Sequence, residues 1–181
     1  MSVSELNWNQ IVQRLLRIAK FDQTVWPEIE HDERADVEAA VVVLVSSFLS
    51  ALGSGIATRR GFIGPFILQF LSGILLSWLL WSFVTMFVGT RLFDAETNFR
   101  EMARMLGYAN APAALGILSA IRCLGLLIGL ITLALSLVIG FLATREALDL
   151  ETGETLITIV IGWVIVFVVT LLFGMGGVLL G

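Results

Sequence analysis

The 181 residues hold one histidine and one cysteine, a single imidazole and a single thiol for metal ligation or thiol chemistry. His31 stands among acids with no spaced partner, which makes no metal site and reads as a solvent-exposed or capping residue. Cys123 excludes an internal disulfide, and a thiol inside an apolar stretch reads as inert packing. Nucleophilic catalysis needs a Ser/His/Asp or Cys/His set, and phosphate transfer a glycine loop such as G-x-x-x-x-G-K-[ST]. Neither set is found, nor a pair of intramembrane carboxylates for a proton relay. The chain is therefore not expected to be an enzyme, and no catalytic, cofactor-binding or metal residue is assigned.

The polar groups that do stand in apolar surroundings suggest architecture rather than reaction. Arg122 is the only ionisable residue between Ala109 and Ala143. It reads as a turn residue snorkelling to headgroups, with a lipid phosphate or anionic partner as the other reading. Gln69, the one amide deep in its segment, is expected to make an interhelical hydrogen bond. Trp78, Trp81 and Trp163 belong to interfacial belts or to a packed core. Gly125, Gly129, Thr132, Ser136 and Gly140 put small side chains on one face of a helix, the pattern that lets backbones approach closely, within the chain or between chains. Gly174, Gly176, Gly177 and Gly181 form a second candidate of that kind.

The elements that must carry these residues are membrane helices. Hydrophobic residues reach 57% while charged residues fall to 14%, against the roughly 25% usual in soluble proteins. The mean hydropathy is +0.93. Val37 to Val88 holds only Glu38, Arg59 and Arg60, and nothing ionisable follows Glu154. Apolar runs of about 18 residues or more with so few charges read as transmembrane helices. The expected class is all-α and polytopic, with about five spans: residues 39–57, 62–88, 109–121, 124–143 and 155–180. The third is short or re-entrant, because an unbroken helix over residues 109–143 would exceed about 50 Å with Arg122 near its middle. A turn at Gly64-Pro65 could shorten the second.

Residues 1–36 form a polar region ahead of this 37–181 domain. Ser2 and Glu5 fit a capping box, and Trp8, Ile11, Val12, Leu15 and Ala19 recur at helical spacing opposite Gln13, Arg14, Arg17 and Lys20. Ile11, Val12 and Leu15, flanked by Arg14, Arg17 and Lys20, are expected at the membrane interface, as is Arg122. A second amphipathic helix follows span 2, capped by Asn98 with Glu101 and able to end at Gly107. No charged start, apolar h-region and cleavage site suggests a removable signal peptide, so the first span is expected to direct insertion. Basic residues near the spans favour a cytoplasmic N-terminus: Lys20, Arg34, Arg91, Arg100, Arg104 and Arg145 inside against Arg59, Arg60 and Arg122 outside. If segment 109–121 turns back, Arg122 and Arg145 exchange sides, so the rule leaves the C-terminus open. A net charge of -4 without a basic cluster argues against a nucleic-acid partner.

After span 2 the chain reads Gly89-Thr90-Arg91-Leu92-Phe93, then Asn98-Phe99-Arg100, then Met105-Leu106-Gly107-Tyr108-Ala109, and Pro112. This resembles the Yip1-domain family of polytopic membrane proteins, in which a similar stretch joins spans 2 and 3. The likeness extends to Glu28-Ile29-Glu30-His31-Asp32 ahead of span 1 and to Ala143-Thr144-Arg145-Glu146-Ala147 at the exit of span 4. The resemblance implies a five-helix membrane domain with a cytosolic N-terminus and assigns Gly89, Thr90, Leu92, Phe93, Gly107, Tyr108 and Pro112 to the family motif. Eukaryotic relatives work in vesicle traffic and engage small GTPases, but their Asp-Leu-Tyr-Gly-Pro-like motif is absent here. The short N-terminal region is similar to that of bacterial members, which implies a multi-pass protein of the inner (plasma) membrane. The expected role is a non-enzymatic scaffold or adaptor in contact with membrane lipids and with protein partners or further copies of itself. An accessory subunit of a larger membrane assembly, such as an energy-transducing one, and a small transporter are the alternatives, although almost no buried charge and no obvious inverted repeat support transport.

Overall fold

The computed structural model describes residues 6–58, 61–121 and 124–179, with side chains as far as residue 169. Helix α1 (Trp8–Ala19) starts after Asn7, whose side chain accepts from the Gln10 N–H at 3.3 Å. The cap of this helix is Asn7, and the Ser2–Glu5 pair lies outside the described residues. After α2 (Val25–His31) come α3 (Ala35–Ala57), α4 (Ile63–Ile74), a π-helical stretch (Leu75–Leu80) and α5 (Trp81–Leu92). The last three form one rod of 30 residues. Pro65 does not break it, because the first turn has no intrahelical N–H bond for a proline to remove.

Helix α6 (Phe99–Ala109) is closed at its start by a reciprocal cap. Asn98 accepts from the Glu101 N–H at 3.0 Å and donates to the Glu101 carboxylate at 3.2 Å. Gly107 does not end it; the helix runs on to Ala109 and stops before Pro112, which lacks an N–H and disfavours α geometry at Ala111. A 3₁₀ segment (Ala111–Ala120), then α7 (Gly125–Ala147) and α8 (Thr152–Leu179) complete the chain. At about 2.0 Å per residue the 3₁₀ winding stretches ten residues over roughly 20 Å, a third farther than an α-helix would reach.

Four stretches are long and apolar enough to cross a membrane: Ala35–Ala57, Ile63–Leu92, Gly125–Ala147 and Thr152–Val169. The protein is thus a multi-pass membrane protein. The 3₁₀ segment supplies a fifth passage through the bundle. The last turns of α7 join α6 in one buried cluster through Ala143 and Ala147, so the start of this 23-residue helix lies about 34 Å away at the opposite end. The chain must cover that depth between Asn110 and Gly125.

The 3₁₀ segment runs alongside α3 in the same direction. Asn110 donates to Ser46 Oγ at 3.2 Å near its start, and Gly116 meets Gly53 farther on. A Cβ at Gly53 would collide with the Gly116 carbonyl, and one at Gly116 would lie 2.5 Å from Ser50 Oγ. This close approach is built on small residues of the first span and the 3₁₀ segment. At one end of the bundle Ile11, Ile18, Val25, Trp26 and Ile29 pack on Ala39, Met102, Met105 and Leu106. That layer, formed by α1, α2 and α6 across the ends of the spans, is called the platform below.

Candidate functional site

A buried cation organises the platform. Arg14 is 2% exposed and reaches three carboxylates: Nε to Glu28 at 3.0 Å, Nη2 to Asp32 at 2.7 Å and Nη1 to Glu38 at 2.7 Å. Tyr108 on α6 donates its hydroxyl to the same Glu38 oxygen at 2.5 Å. One guanidinium thus ties α1 to α2, to the first span and, through Glu38, to α6. Burial alone would lower the Arg14 pKa, but the bonds to Asp32 and Glu28 outweigh it and the charge is held firmly. Burial and the neighbouring Glu38 push Tyr108 upward, so its hydroxyl stays protonated and able to donate. Removing one partner of such a buried group costs about 3–5 kcal/mol, because a charge is left unpaired.

Arg104 makes a second clamp. It is nearly buried, pairs with Asp36 at 2.6 Å and donates to the Glu30 carbonyl, joining α6 to α2 and to the first turn of α3. Arg17 closes the outer edge by bonds to Asp22 at 2.9 Å and Glu28 at 2.6 Å. Two bonds from Thr24, with Arg17 beside it, hold the Asp22 carboxyl down at about 2. The Glu30 carboxyl moves the other way, to about 7, through burial and the carboxyl of Glu101, with Glu146 adding to it and His31 opposing it. The His31 ring is exposed and lies 2.9 Å from the Pro27 carbonyl.

The residues expected at the membrane interface are divided by this geometry. Ile11 and Arg14 face inward with Ile18, Leu15 is half-buried, and Val12 is exposed beside Trp8 and Leu16. Lys20 is exposed, and Arg17 is engaged with acids on the platform. Arg122 lies outside the described residues. The inward face of α1 is therefore set by an ion network, while Trp8, Val12 and Leu16, each four residues apart, make an apolar stripe on the outside.

The small-residue face of α7 turns toward an open groove of about 1140 Å³ lined by α3, α4, the 3₁₀ segment, α7 and α8. Gly125, Gly129, Thr132, Ser136 and Gly140 all line it. Among the described residues nothing lies within 4 Å of a Cβ built at Gly129 or Gly140, and one at Gly125 finds the Ser119 carbonyl at 3.9 Å. Ser50, Ser54, Gln69 and Ser72 stand on the α3 and α4 side. Gln69 makes the interhelical bond expected of it, donating to Ser50 at 3.3 Å. Trp81 and Trp163 line the groove too, whereas Trp78 donates to the Ala103 carbonyl at 2.7 Å. The space is open to the surroundings rather than sealed. The space therefore belongs to lipid, water or another helix.

Some of the motif residues lie where helices meet. A Cβ at Gly107 would lie 2.8 Å from the Ala39 methyl, and one at Gly89 would lie 2.7 Å from a Leu148 methyl. Both glycines allow close crossings. Thr90 bonds its hydroxyl to the Met86 carbonyl at 2.9 Å, the Phe93 N–H closes α5 on Gly89 at 3.1 Å, and Leu92 is exposed. Tyr108 holds Glu38, and buried Pro112 starts the 3₁₀ segment. Glu38 is the partner that sequence reasoning passed over. Its signal was available: it is the lone acid in an otherwise apolar block, which in a membrane calls for a paired cation.

Fold and joints together define an all-helical, multi-pass membrane domain with a clamped helical platform at one end. Residues 23–174 match the Yip1 domain family, and the chain belongs to that family. No curated protein and no solved structure matches it.

Proposed function

We propose that this protein is a non-enzymatic scaffold of the cell's inner (plasma) membrane, with its platform on the cytoplasmic face. The observation that carries this reading is the Arg14 network, which spends four polar groups on holding α1 in one orientation with Trp8, Val12 and Leu16 turned outward. A helix clamped on its inner face with an apolar outer stripe has the form of an in-plane interfacial helix. Lys20 beside it, and Arg91 and Arg145 at the span ends on the same side, add attraction for anionic lipid and agree with a cytoplasmic placement. The platform then provides a rigid surface on which partners assemble.

Purification in mild detergent from the native membrane tests the reading, comparing the wild-type chain with Arg14→Met. A set of proteins bound to the former and lost from the latter supports a scaffold acting through its platform. No bound protein in either case contradicts it. A non-exchanging, stoichiometric set retained by both would make the chain an accessory subunit of a larger assembly.

A further inference from the structure

Among the described residues three side chains other than glycine's sit on a backbone of positive φ: Asp94 at 53°, Asp149 at 47° and Phe21 at 57°. Aspartate tolerates this left-handed conformation, because its short polar side chain bonds locally, whereas a bulky aromatic gains no such compensation. Phe21 sits where α1 ends. Its N–H donates to the Ile18 carbonyl at 2.9 Å and the Asp22 N–H donates to the Arg17 carbonyl at 3.0 Å, the paired bonds of a left-handed helix stop whose pivot is most often glycine. An apolar contact frequently joins the two residues that here are Arg17 and Asp22; in its place stands an ion pair of 2.9 Å. The stop is thus firmly closed around a residue that disfavours it. Packing does not offset the strain, since Phe21 is 45% exposed.

Strain that neither local bonding nor burial relieves is the kind held at functional positions. The surroundings of Phe21 indicate the function. Trp8, Val12 and Leu16 are exposed along α1, and Phe21 follows Leu16 by five residues, about 7.5 Å farther in the helix direction. Lys20, its neighbour in the chain, is exposed as well. Asp22 on the other side accepts from Arg17 and twice from Thr24, so its charge is turned onto the turn itself. The end of α1 therefore presents an aromatic ring beside an exposed ammonium, which matches an anionic headgroup lying above an apolar boundary. We propose that Phe21 is the insertion anchor of the platform, its ring entering the acyl boundary of an anionic leaflet while Lys20 meets a lipid phosphate. This rests on the reading of α1 as an in-plane interfacial helix and adds the residue that sets its depth.

The test reconstitutes the full chain, carrying Cys123→Ser, in vesicles of phosphatidylcholine and phosphatidylglycerol, with a spin label at position 16, 21 or 23 read by power saturation against an aqueous nickel chelate and against oxygen. Position 21 is expected to lie deepest, severalfold less open to the chelate than position 23 and severalfold more open to oxygen. Phe21→Gly should raise the melting temperature in detergent, because glycine takes the left-handed pivot freely, and should still make a label at position 16 severalfold more open to the chelate in vesicles. Phe21→Leu, which keeps an apolar side chain there, should leave position 16 shielded. Position 21 open to the chelate while position 16 is shielded would overturn the anchor and leave the interfacial helix standing. Both positions open would overturn the helix reading and the anchor with it. Shielding of position 21 from both agents would place a second copy of the chain there and overturn the proposal. Phe21→Gly that melts lower, or that leaves position 16 shielded, would overturn it too, since the ring would then serve packing or have no part at the membrane.

Discussion

Arg14 Nη1 lies 2.7 Å from Glu38 Oε2, and this one contact joins a helix ahead of the first span to a carboxylate inside that span. Both groups are almost wholly buried, at 2% and 3% exposure, so neither can recover water when the other is removed. Arg14→Met is expected to destabilise the protein by about 3–5 kcal/mol, whereas Arg14→Met combined with Glu38→Met should recover a good part of that loss. Thermal unfolding of the four variants in detergent measures the coupling. Strictly additive effects would mean that the pair is not a unit.

Tyr108 is a subtler probe of the same joint. Tyr108→Phe removes the hydroxyl donor but leaves Glu38 paired with Arg14. The expected cost is about 1–3 kcal/mol, smaller than that of Arg14→Met, because a bond is lost and no charge is orphaned. Hydrogen exchange should quicken at the α1 and α6 amides first.

Close packing is expected to matter at Gly53 and not at Gly129. Gly53→Leu forces a side chain into the Gly116 backbone, while Gly129→Leu enters open space. The former should cost more than the roughly 1–3 kcal/mol typical of overpacking, and the latter should leave the melting temperature of the monomer nearly unchanged. Loss of a dimer on Gly129→Leu, seen by light scattering in detergent, would instead show that the α7 face packs between copies.

Stability should fall as pH rises from about 5 to about 8. Glu30 has its folded-state pKa raised to about 7 by burial and by the carboxyl of Glu101, so the fold binds its proton more tightly than the unfolded chain does. The associated stability is fully present below the ordinary carboxylate range and is lost as pH passes through about 7. Glu146 on α7 works in the same direction, and His31 on α2 opposes it. Glu30→Gln should flatten this part of the pH profile. At the acid end Glu28 and Asp32, held down against their own burial by the arginines, should release α1 as pH falls below their lowered pKa values.

How much of this could be read from the sequence varies with the kind of force involved. The spans were legible because lipid demands long apolar runs, and α6 because Asn98 and Glu101 form a local cap. The 3₁₀ winding of residues 111–120 was not legible: it answers the depth to be crossed and the neighbouring α3, both tertiary facts. The orientation of α1 was misleading for a related reason. Helical spacing grouped Arg14 with the polar face, but Glu28, Asp32 and Glu38 surround it only after three helices have come together. The small residues of α7 were conspicuous in sequence, while a close approach lies between Gly53, in a serine- and glycine-rich first span that carries the same signal less regularly, and Gly116 of the 3₁₀ segment.

Spin labels at Val12, Gln13 and Leu16, read by power saturation in vesicles with an aqueous and a lipid-soluble relaxation agent, test the central claim most directly. A clamped scaffold helix lying in the interface should shield positions 12 and 16 from the aqueous agent and expose them to the lipid-soluble one, with position 13 the reverse. Arg14→Met should abolish the contrast. Equal aqueous accessibility at all three positions in the wild-type chain would contradict the account, since α1 would then be neither held in register nor seated on the membrane.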